Sequence, residues 1–422
     1  MIPFQLHRRI PLIRRPFWQR DLARQEAQEL RDCAAENEAL ITRLKAQIAE
    51  LGGKSRNTVP QDLDASELDR IPDAESFYEF IVRYAITCIR ENDFADNFDE
   101  ITSAIAGRDL SRTFRADWLA SNYVWLGRSY GQLFEAFRTL EDLQSRLLFA
   151  SLLIYRLAGH LGFKIPVAFR DRRTDLASYV NIEEAGRTNS ALAVEGMFGR
   201  LSHYDFVFDG KRYVVDCHGL EYYLFRRQYF YRRDGITVAP SPGDYVVDGG
   251  GFFGDATCVF SNAVGPEGKV FAFDPLDVHI EVMRYNIRHF ACPNVTIMPF
   301  GLADRNLASS ACQASGYNPG FSVRGKIAPL RTLDNCVESG EIDRVDFIKL
   351  DIEGSEFDAI RGAAGVIKKF RPRLAISLYH LPDDLFRIIL HIKEHHPFYR
   401  MFFDHYTIHA EESVLYCLPS RA

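Results

Sequence analysis

The sequence predicts a doubly wound α/β domain with a mostly parallel sheet, preceded by a mainly helical region. Three observations predict it. Short apolar runs alternate with helical patterns through the C-terminal half. Several of these runs end in an acid, at Asp248, Asp274 and Asp351. The first is followed by the glycine turn Gly249-Gly250-Gly251-Phe252-Phe253-Gly254 and a helical stretch. Strands that are apolar throughout are buried on both faces, and helices between them make a parallel sheet covered on both sides. Ligands of such sheets bind at the carboxyl ends of the strands.

The elements run in this order. Residues 1–60 hold a basic arm, a heptad segment and a linker. The arm carries Arg8, Arg9, Arg14, Arg15 and Arg20 among apolar residues, a mixture suited to a packed arm or to an anionic membrane surface. Pro3, Pro11 and Pro16 forbid one continuous helix. Ala27, Ala34, Ile41 and Ile48 recur every seven residues, with Leu30, Asn37, Leu44 and Leu51 three later. These are a and d positions of a coiled coil that joins copies of the chain, with Asn37 fixing register. Gly52-Gly53 ends it.

Residues 61–200 form a mainly helical domain. Phe77, Phe80, Ile81, Tyr84 and Cys88 share one helical face, as do Leu143, Leu147, Ala150, Ile154 and Leu157, in a helix expected to stop at Gly162. No chemical motif stands out there. Residues 201–235 form a hairpin and connector: Tyr204–Phe208 and Lys211–Val215 flank Asp209-Gly210, a strong two-residue turn signal. Residues 236–422 form the α/β domain. Its strands are expected at 245–248, 269–273, 295–298, 346–350 and 374–378, with helices near 256–264 and 278–290. No helix separates the last two strands, near 399–403 and 414–417, so they pair as an antiparallel edge.

Bulk properties exclude several classes. The 422 residues carry a formal net charge of −6, which argues against a general nucleic-acid binder. Eight cysteines form no C-x-x-C pair, which argues against a zinc site and a disulfide framework. No apolar run reaches a membrane span, and the arginines break any signal peptide. The expected location is cytoplasmic, with the arm able to touch the inner membrane surface.

Read literally, the turn matches G-x-G-x-x-G, the dinucleotide pattern. Three details favour S-adenosylmethionine. Asp248 stands just before the glycines, where it can hold a cationic amino-acid portion and would repel a pyrophosphate. Asp274 ends the next strand, where a carboxylate can accept two hydrogen bonds from a ribose diol. Asp304, Asp351 and Glu353 crowd further strand ends, which suits a sulfonium. Cofactor-binding candidates are therefore Asp248, Gly250, Gly254, Asp255, Asp274, Asp304 and Asp351.

Together the stretches Gly243–Gly250, Val270–Pro275, Thr332-Leu333-Asp334 and Asp346–Glu356 resemble the FkbM family of S-adenosylmethionine-dependent methyltransferases, from about Ile236 to Cys417. The resemblance implies a seven-stranded class I methyltransferase sheet and methyl transfer to an oxygen of a sugar, glycan or related metabolite. It places Asp248, Gly250 and Gly254 in the cofactor turn and Asp274 at the ribose. Asp351, Glu353 and Gly354 fall beside the methyl-transfer site. The chain departs from the family at Ser377, where many members carry an acid and where Tyr379-His380 follows instead.

Methyl transfer to a hydroxyl benefits from a general base. His380, at a strand end and able to be neutral at pH 7, is the first candidate. Asp351 is the second, and Lys349 is placed to orient the acceptor. Asp351 and Glu353 could also hold a divalent metal, a reading not favoured over structural roles. Two other functions stand against the methyltransferase: an NAD-dependent oxidoreductase, and a non-catalytic coiled-coil assembly protein with a degenerate domain.

Overall fold

The computed structural model describes residues 63–92, 113–166, 187–192, 194–196, 199–208, 210–290, 292–311, 327–407 and 410–420. The basic arm, the heptads and the linker lie outside the described residues. From Val59 onward the chain forms one unit.

Among the described residues helices come first: α1 Ala65–Asp69, α2 Ala74–Glu91, α3 Thr113–Thr139 and α4 Leu143–Ala158. The side chains of Asp73 and Asp142 cap α2 and α4, accepting from Ser76 and Ser145 N–H groups. Phe77, Phe80, Ile81 and Cys88 face inward from α2, as their spacing requires. Helix α4 stops at Ala158 rather than near Gly162. Gly159 follows at φ 74°, a conformation that costs glycine nothing.

A three-stranded antiparallel sheet follows, ordered β1 (Arg187–Asn189), β2 (Ser202–Phe208), β3 (Lys211–Cys217). The hairpin therefore gains a strand from before residue 201. A short ribbon, β4 (Tyr231–Arg233) with β5 (Ile236–Val238), leads into the main sheet.

The main sheet has seven strands: β6 (Tyr245–Gly249), β7 (Lys269–Phe273), β8 (Val295–Met298), β9 (Phe347–Leu350), β10 (Arg373–Ser377), β11 (Tyr399–His405) and β12 (Ser413–Pro419). Their order is β8-β7-β6-β9-β10-β12-β11. The first five are parallel, and β12 pairs antiparallel with β10 and with β11. This is the seven-stranded, mostly parallel sheet with an antiparallel edge that the sequence predicts. The order reverses between β6 and β9, so the switch point lies at the ends of these two strands. The intervening helices are α5 (Asp255–Val264), α6 (Asp277–His289), α7 (Leu333–Glu338), α8 (Glu356–Arg361), α9 (Ala364–Phe370) and α10 (Asp384–His395). A small sheet of Gly301–Leu302, Ile327–Arg331 and Leu307–Ala311 was not legible in the pattern.

Strand parity divides the core. Val246, Phe347 and Ala375 share one face with Ala256 and Phe260 of α5 and with Tyr229, Tyr231 and Val238 of the connector. Ile348, Leu350, Leu374 and Ile376 meet Ala359, Ile360, Ala363 and Ile367 on the other. The connector is thus core material, although it precedes the sheet. Among the described residues no helix is long and apolar enough to cross a membrane.

Phe260 joins the two parts. It is 1% exposed, and its ring centre lies 6.2 Å from Tyr229, 5.7 Å from Phe230 and 6.0 Å from Phe347. Phe260→Ala should lower the unfolding free energy by about 3–5 kcal/mol in a urea titration. A loss under about 1 kcal/mol would show that the connector does not depend on this contact.

Candidate active site

The site forms where β6 and β9 end side by side. Register places Lys349 directly opposite Asp248, both on the face that carries Val246 and Phe347. Lys349 is 2% exposed and Asp248 fully buried, with Nζ 3.1 Å from Asp248 Oδ1. Lys349 also donates to the carbonyls of Gly249 (3.0 Å) and Gly250 (2.7 Å). Burial works against the ammonium, but Asp248, then Asp351 and Asp255, outweigh it and hold it charged. Thr257 Oγ1 of α5 donates to Asp248 Oδ2 at 2.6 Å.

Two expectations need correction here. Lys349 does not reach towards an acceptor; it lies beneath the glycine turn, because its partners are turn carbonyls and Asp248. Asp248 does not present a free carboxylate to a ligand's cationic end, since Lys349 and Thr257 already engage it. Both groups shape the turn.

The turn itself is tight. Gly250 has φ 78°, and a Cβ there would stand 1.9 Å from the Asp351 carbonyl oxygen. Gly254 has φ 83°, and its Cβ would meet Met283 Cγ at 2.9 Å. Glycine alone keeps the backbone this close to β9 and α6. The result is a cradle at the sheet's switch point, followed by the first turn of α5. Asp255, 5% exposed, opens that helix. Burial, and then the Asp248 charge, raise its carboxyl to about 6 against the pull of Lys349 and a backbone N–H.

Asp274 closes one side. It is 4% exposed and accepts from Phe252 N–H (3.1 Å) and Leu276 N–H (2.9 Å), with His279 Nδ1 at 3.0 Å. It is fixed by the turn it faces, and Oδ2 keeps a lone pair for a diol. Asp304 differs: Arg305 lies at 2.9 Å and Arg361 at 3.3 Å, so its charge is already balanced.

Asp351 closes the other side. Tyr229 Oη donates to Oδ2 at 2.7 Å and Tyr379 Oη to Oδ1 at 3.0 Å. Burial disfavours the carboxylate, but Lys349, His380 and the two hydroxyls outweigh it and hold its pKa below the ordinary range. Tyr229 comes from the connector, far away in sequence, and no spacing or motif could have pointed to it. Its φ of 69° and the bond from its N–H to Tyr416 Oη (3.2 Å) show how firmly it is set.

His380 does not stand free as a neutral base. Its Nδ1 is 2.9 Å from Glu356 Oε1, and its Nε2 faces Asp351 Oδ1 at 3.4 Å and Glu353 at 3.8 Å. Burial pulls its pKa down, but Glu356, then Asp351 and Glu353, push it up to about 10. At neutral pH it is an imidazolium clamped between carboxylates. Glu356, fully buried, also accepts from Ile352 N–H (2.7 Å) and Gly354 N–H (3.0 Å), which braces the bend where Glu353 has φ 56°.

Donor atoms of Asp351, Glu356 and His380 lie within 4.8 Å of one another. Both Glu356 oxygens accept backbone N–H groups, while His380 Nδ1 lies 2.9 Å from Glu356 Oε1 as an ion-pair contact without a hydrogen bond. Glu353, expected beside Asp351 as a ligand, is 44% exposed and outside this group.

Two consequences can be measured. Lys349→Met should cost about 3–5 kcal/mol by leaving Asp248 buried and unpaired, and adding Asp248→Asn should recover part of that loss. Equal stability of single and double variants would disprove the pairing. The His380 pKa is raised in the fold, so its stabilisation is complete below about 6.5 and is lost as pH rises towards about 10. Urea titrations should show stability falling across that window, and His380→Gln should flatten the fall. An unchanged slope would mean the imidazolium is not clamped.

Residues 242–408 match the family model of the Methyltransferase FkbM domain. No curated protein matches the chain. Among solved structures, a methyltransferase FkbM from Methylobacillus flagellatus KT is similar at 18% identity and TM-score 0.47, over 72% of this chain and 61% of that one. A putative rRNA-methylase from Clostridium thermocellum aligns at 14% identity and TM-score 0.31, over 43% of this chain and 89% of that one. Aeropyrum pernix fibrillarin, in complex with S-adenosyl-L-methionine, aligns at 9% identity and TM-score 0.30, over 56% and 98% of the two chains. The switch-point strands, the glycine cradle, Asp274 and the Asp351–Glu356 bend all fall within residues 242–408, the span that matches the Methyltransferase FkbM domain model.

Proposed function

We propose that this chain is an S-adenosylmethionine-dependent O-methyltransferase acting on a hydroxyl of a sugar, glycan or related metabolite. The observation that carries the reading is Asp351, an ionised carboxylate fixed by two tyrosine hydroxyls against the glycine cradle. The cradle offers backbone room at Gly250 and Gly254, and Asp274 suits a ribose diol. S-adenosylmethionine supplies a methyl group already activated by its sulfonium, so the protein's main task is placement. The acceptor oxygen must lie about 3 Å from the methyl carbon, in line with the bond to sulfur. Asp351 is the group we assign to receive the hydroxyl proton. Its lowered pKa makes it a modest base, so geometry carries more of the rate than proton affinity does.

Calorimetric titration with S-adenosylhomocysteine should give micromolar binding, with no heat from NAD; binding of NAD alone would restore the literal dinucleotide reading. Asp274→Ala should weaken S-adenosylhomocysteine by about tenfold or more. Asp351→Asn should keep that affinity while methyl transfer to a hydroxylated acceptor falls about 100-fold or more. Unchanged turnover would remove Asp351 from the role of base.

The proposed homo-oligomer rests on the heptads alone, and peripheral membrane contact on the arm. Deleting residues 1–53 should lower the subunit count in light scattering; an equal count would end the coiled-coil proposal.

A further inference from the structure

The helical region brings one charge to the rim that the reaction above does not use. Arg156 lies in the last turn of α4 and is 6% exposed. Its guanidinium carbon stands 5.3 Å from the centre of the Trp125 ring. Trp125 Nε1 donates to Asp383 Oδ1 at 2.8 Å, and Asp383 is the residue just before α10, three positions after His380. The charges of Glu411 and Asp384 act on Arg156 and favour its charged form. Asp384 in turn feels Glu356 and His380. Through Trp125 and Asp383, Arg156 is tied to the loop that follows β10, the strand beside β9.

What sets Arg156 apart among the described residues is that its contact is a ring face, not a carboxylate or a carbonyl. Among the described residues its guanidinium makes no hydrogen bond or ion pair. Lys349, the other deeply buried cation of the rim, has a carboxylate and two carbonyls. An unpaired buried charge is costly, and a protein keeps one chiefly where something else completes it. Burial lowers the Arg156 pKa to about 10, which still leaves it charged at neutral pH.

We propose that Arg156, backed by Trp125, is a subsite for an anionic group, a carboxylate or a phosphate, carried by the hydroxylated acceptor. This rests on the methyltransferase reading. The guanidinium is planar and offers paired N–H donors that match either group. A ring face engages the guanidinium without using its N–H donors, so the Trp125 contact does not compete with an anion for them. The surroundings make one orientation favourable. Asp351, Glu412 and Glu353 act on Tyr379 and Glu411 acts on Arg156, so an anionic acceptor is repelled unless its charge lies on Arg156. Bound there, the acceptor turns its hydroxyls towards Asp351.

The test uses the full-length protein saturated with S-adenosylhomocysteine. Glucuronate, glucose 1-phosphate and glucose are titrated in turn by calorimetry or saturation-transfer NMR. At least one anionic probe should bind about tenfold or more tighter than glucose, and which one it is separates carboxylate from phosphate. Arg156→Met should erase that preference, keep the S-adenosylhomocysteine affinity and leave Tm unchanged or higher, because a costly unpaired charge is gone. Equal binding of all three probes by the wild type, or none, overturns the proposal while leaving the methyltransferase reading intact. A Tm several degrees lower in Arg156→Met also overturns it, since the guanidinium would then have Asp384 or Glu411 as a structural partner. Failure of S-adenosylhomocysteine to bind the wild type sinks the methyltransferase reading and this proposal with it.

Discussion

The site depends on one buried ammonium. Lys349 sits under the glycine turn and holds three things together: the acid that ends β6, the carbonyls of Gly249 and Gly250, and by its field the carboxylate of Asp351. A turn with successive carbonyls aimed inward would leave them without donors, and buried carbonyls need partners. The lysine supplies those donors, and Asp248 keeps it charged despite being buried. The same charge stabilises Asp351 as a carboxylate on the other side. Turn shape and rim electrostatics are therefore one interaction rather than two.

Around that centre the rim is built from opposing pieces. From the domain come the bend at Glu353-Gly354, braced by Glu356, and the Tyr379-His380 pair beyond β10. From outside the domain's matched span comes Tyr229. It is followed into the sheet by Tyr231, whose ring stacks 4.8 Å from Tyr416. Gln228 Nε2 donates to Glu412 at 2.7 Å, and Arg226 donates to the Tyr406 carbonyl. The connector thus ties the antiparallel edge to the tip of β9. Two residues of this strap, Arg227 and Tyr229, hold positive φ without being glycine. Such strain persists only where surrounding contacts over-determine the backbone, and here those contacts end on Asp351.

The fold was legible because its signals are local. Apolar strands, strand-end acids and the glycine turn all lie within short windows, and each strand of the main sheet falls where its pattern put it. The antiparallel edge was legible because β11 and β12 have no room for a crossover helix. The chemistry at the site was less legible because it depends on register and on distant contacts. Lys349, inside an otherwise apolar strand, reads as placed to orient an acceptor. That its partner is Asp248, and that the pair points under the turn, follows only when β6 lies beside β9. His380 looked like a base because sequence shows a histidine at a strand end but not the carboxylates on both its nitrogens. Tyr229 carried no signal at all.

The helical region has a physical task that explains its attachment. β11 is an edge strand, and an uncovered edge invites pairing with another chain. Here Glu141 N–H donates to the Met401 carbonyl at 2.8 Å, and Ser145 Oγ accepts from Phe403 N–H at 2.8 Å. Phe149 packs edge-on against Phe403 at 5.6 Å, and Arg233 ties Asp142 to Asp404. The exposed pairs Lys393–Glu135 and Arg400–Glu141 add little, so covering the edge and burying apolar surface hold the region in place. Once it is there, the last turn of α4 is tied through Arg156, Trp125 and Asp383 to the loop that follows β10. The glycine turn lies within the span that matches the FkbM model, while one of the two hydroxyls on Asp351 comes from Tyr229, outside it.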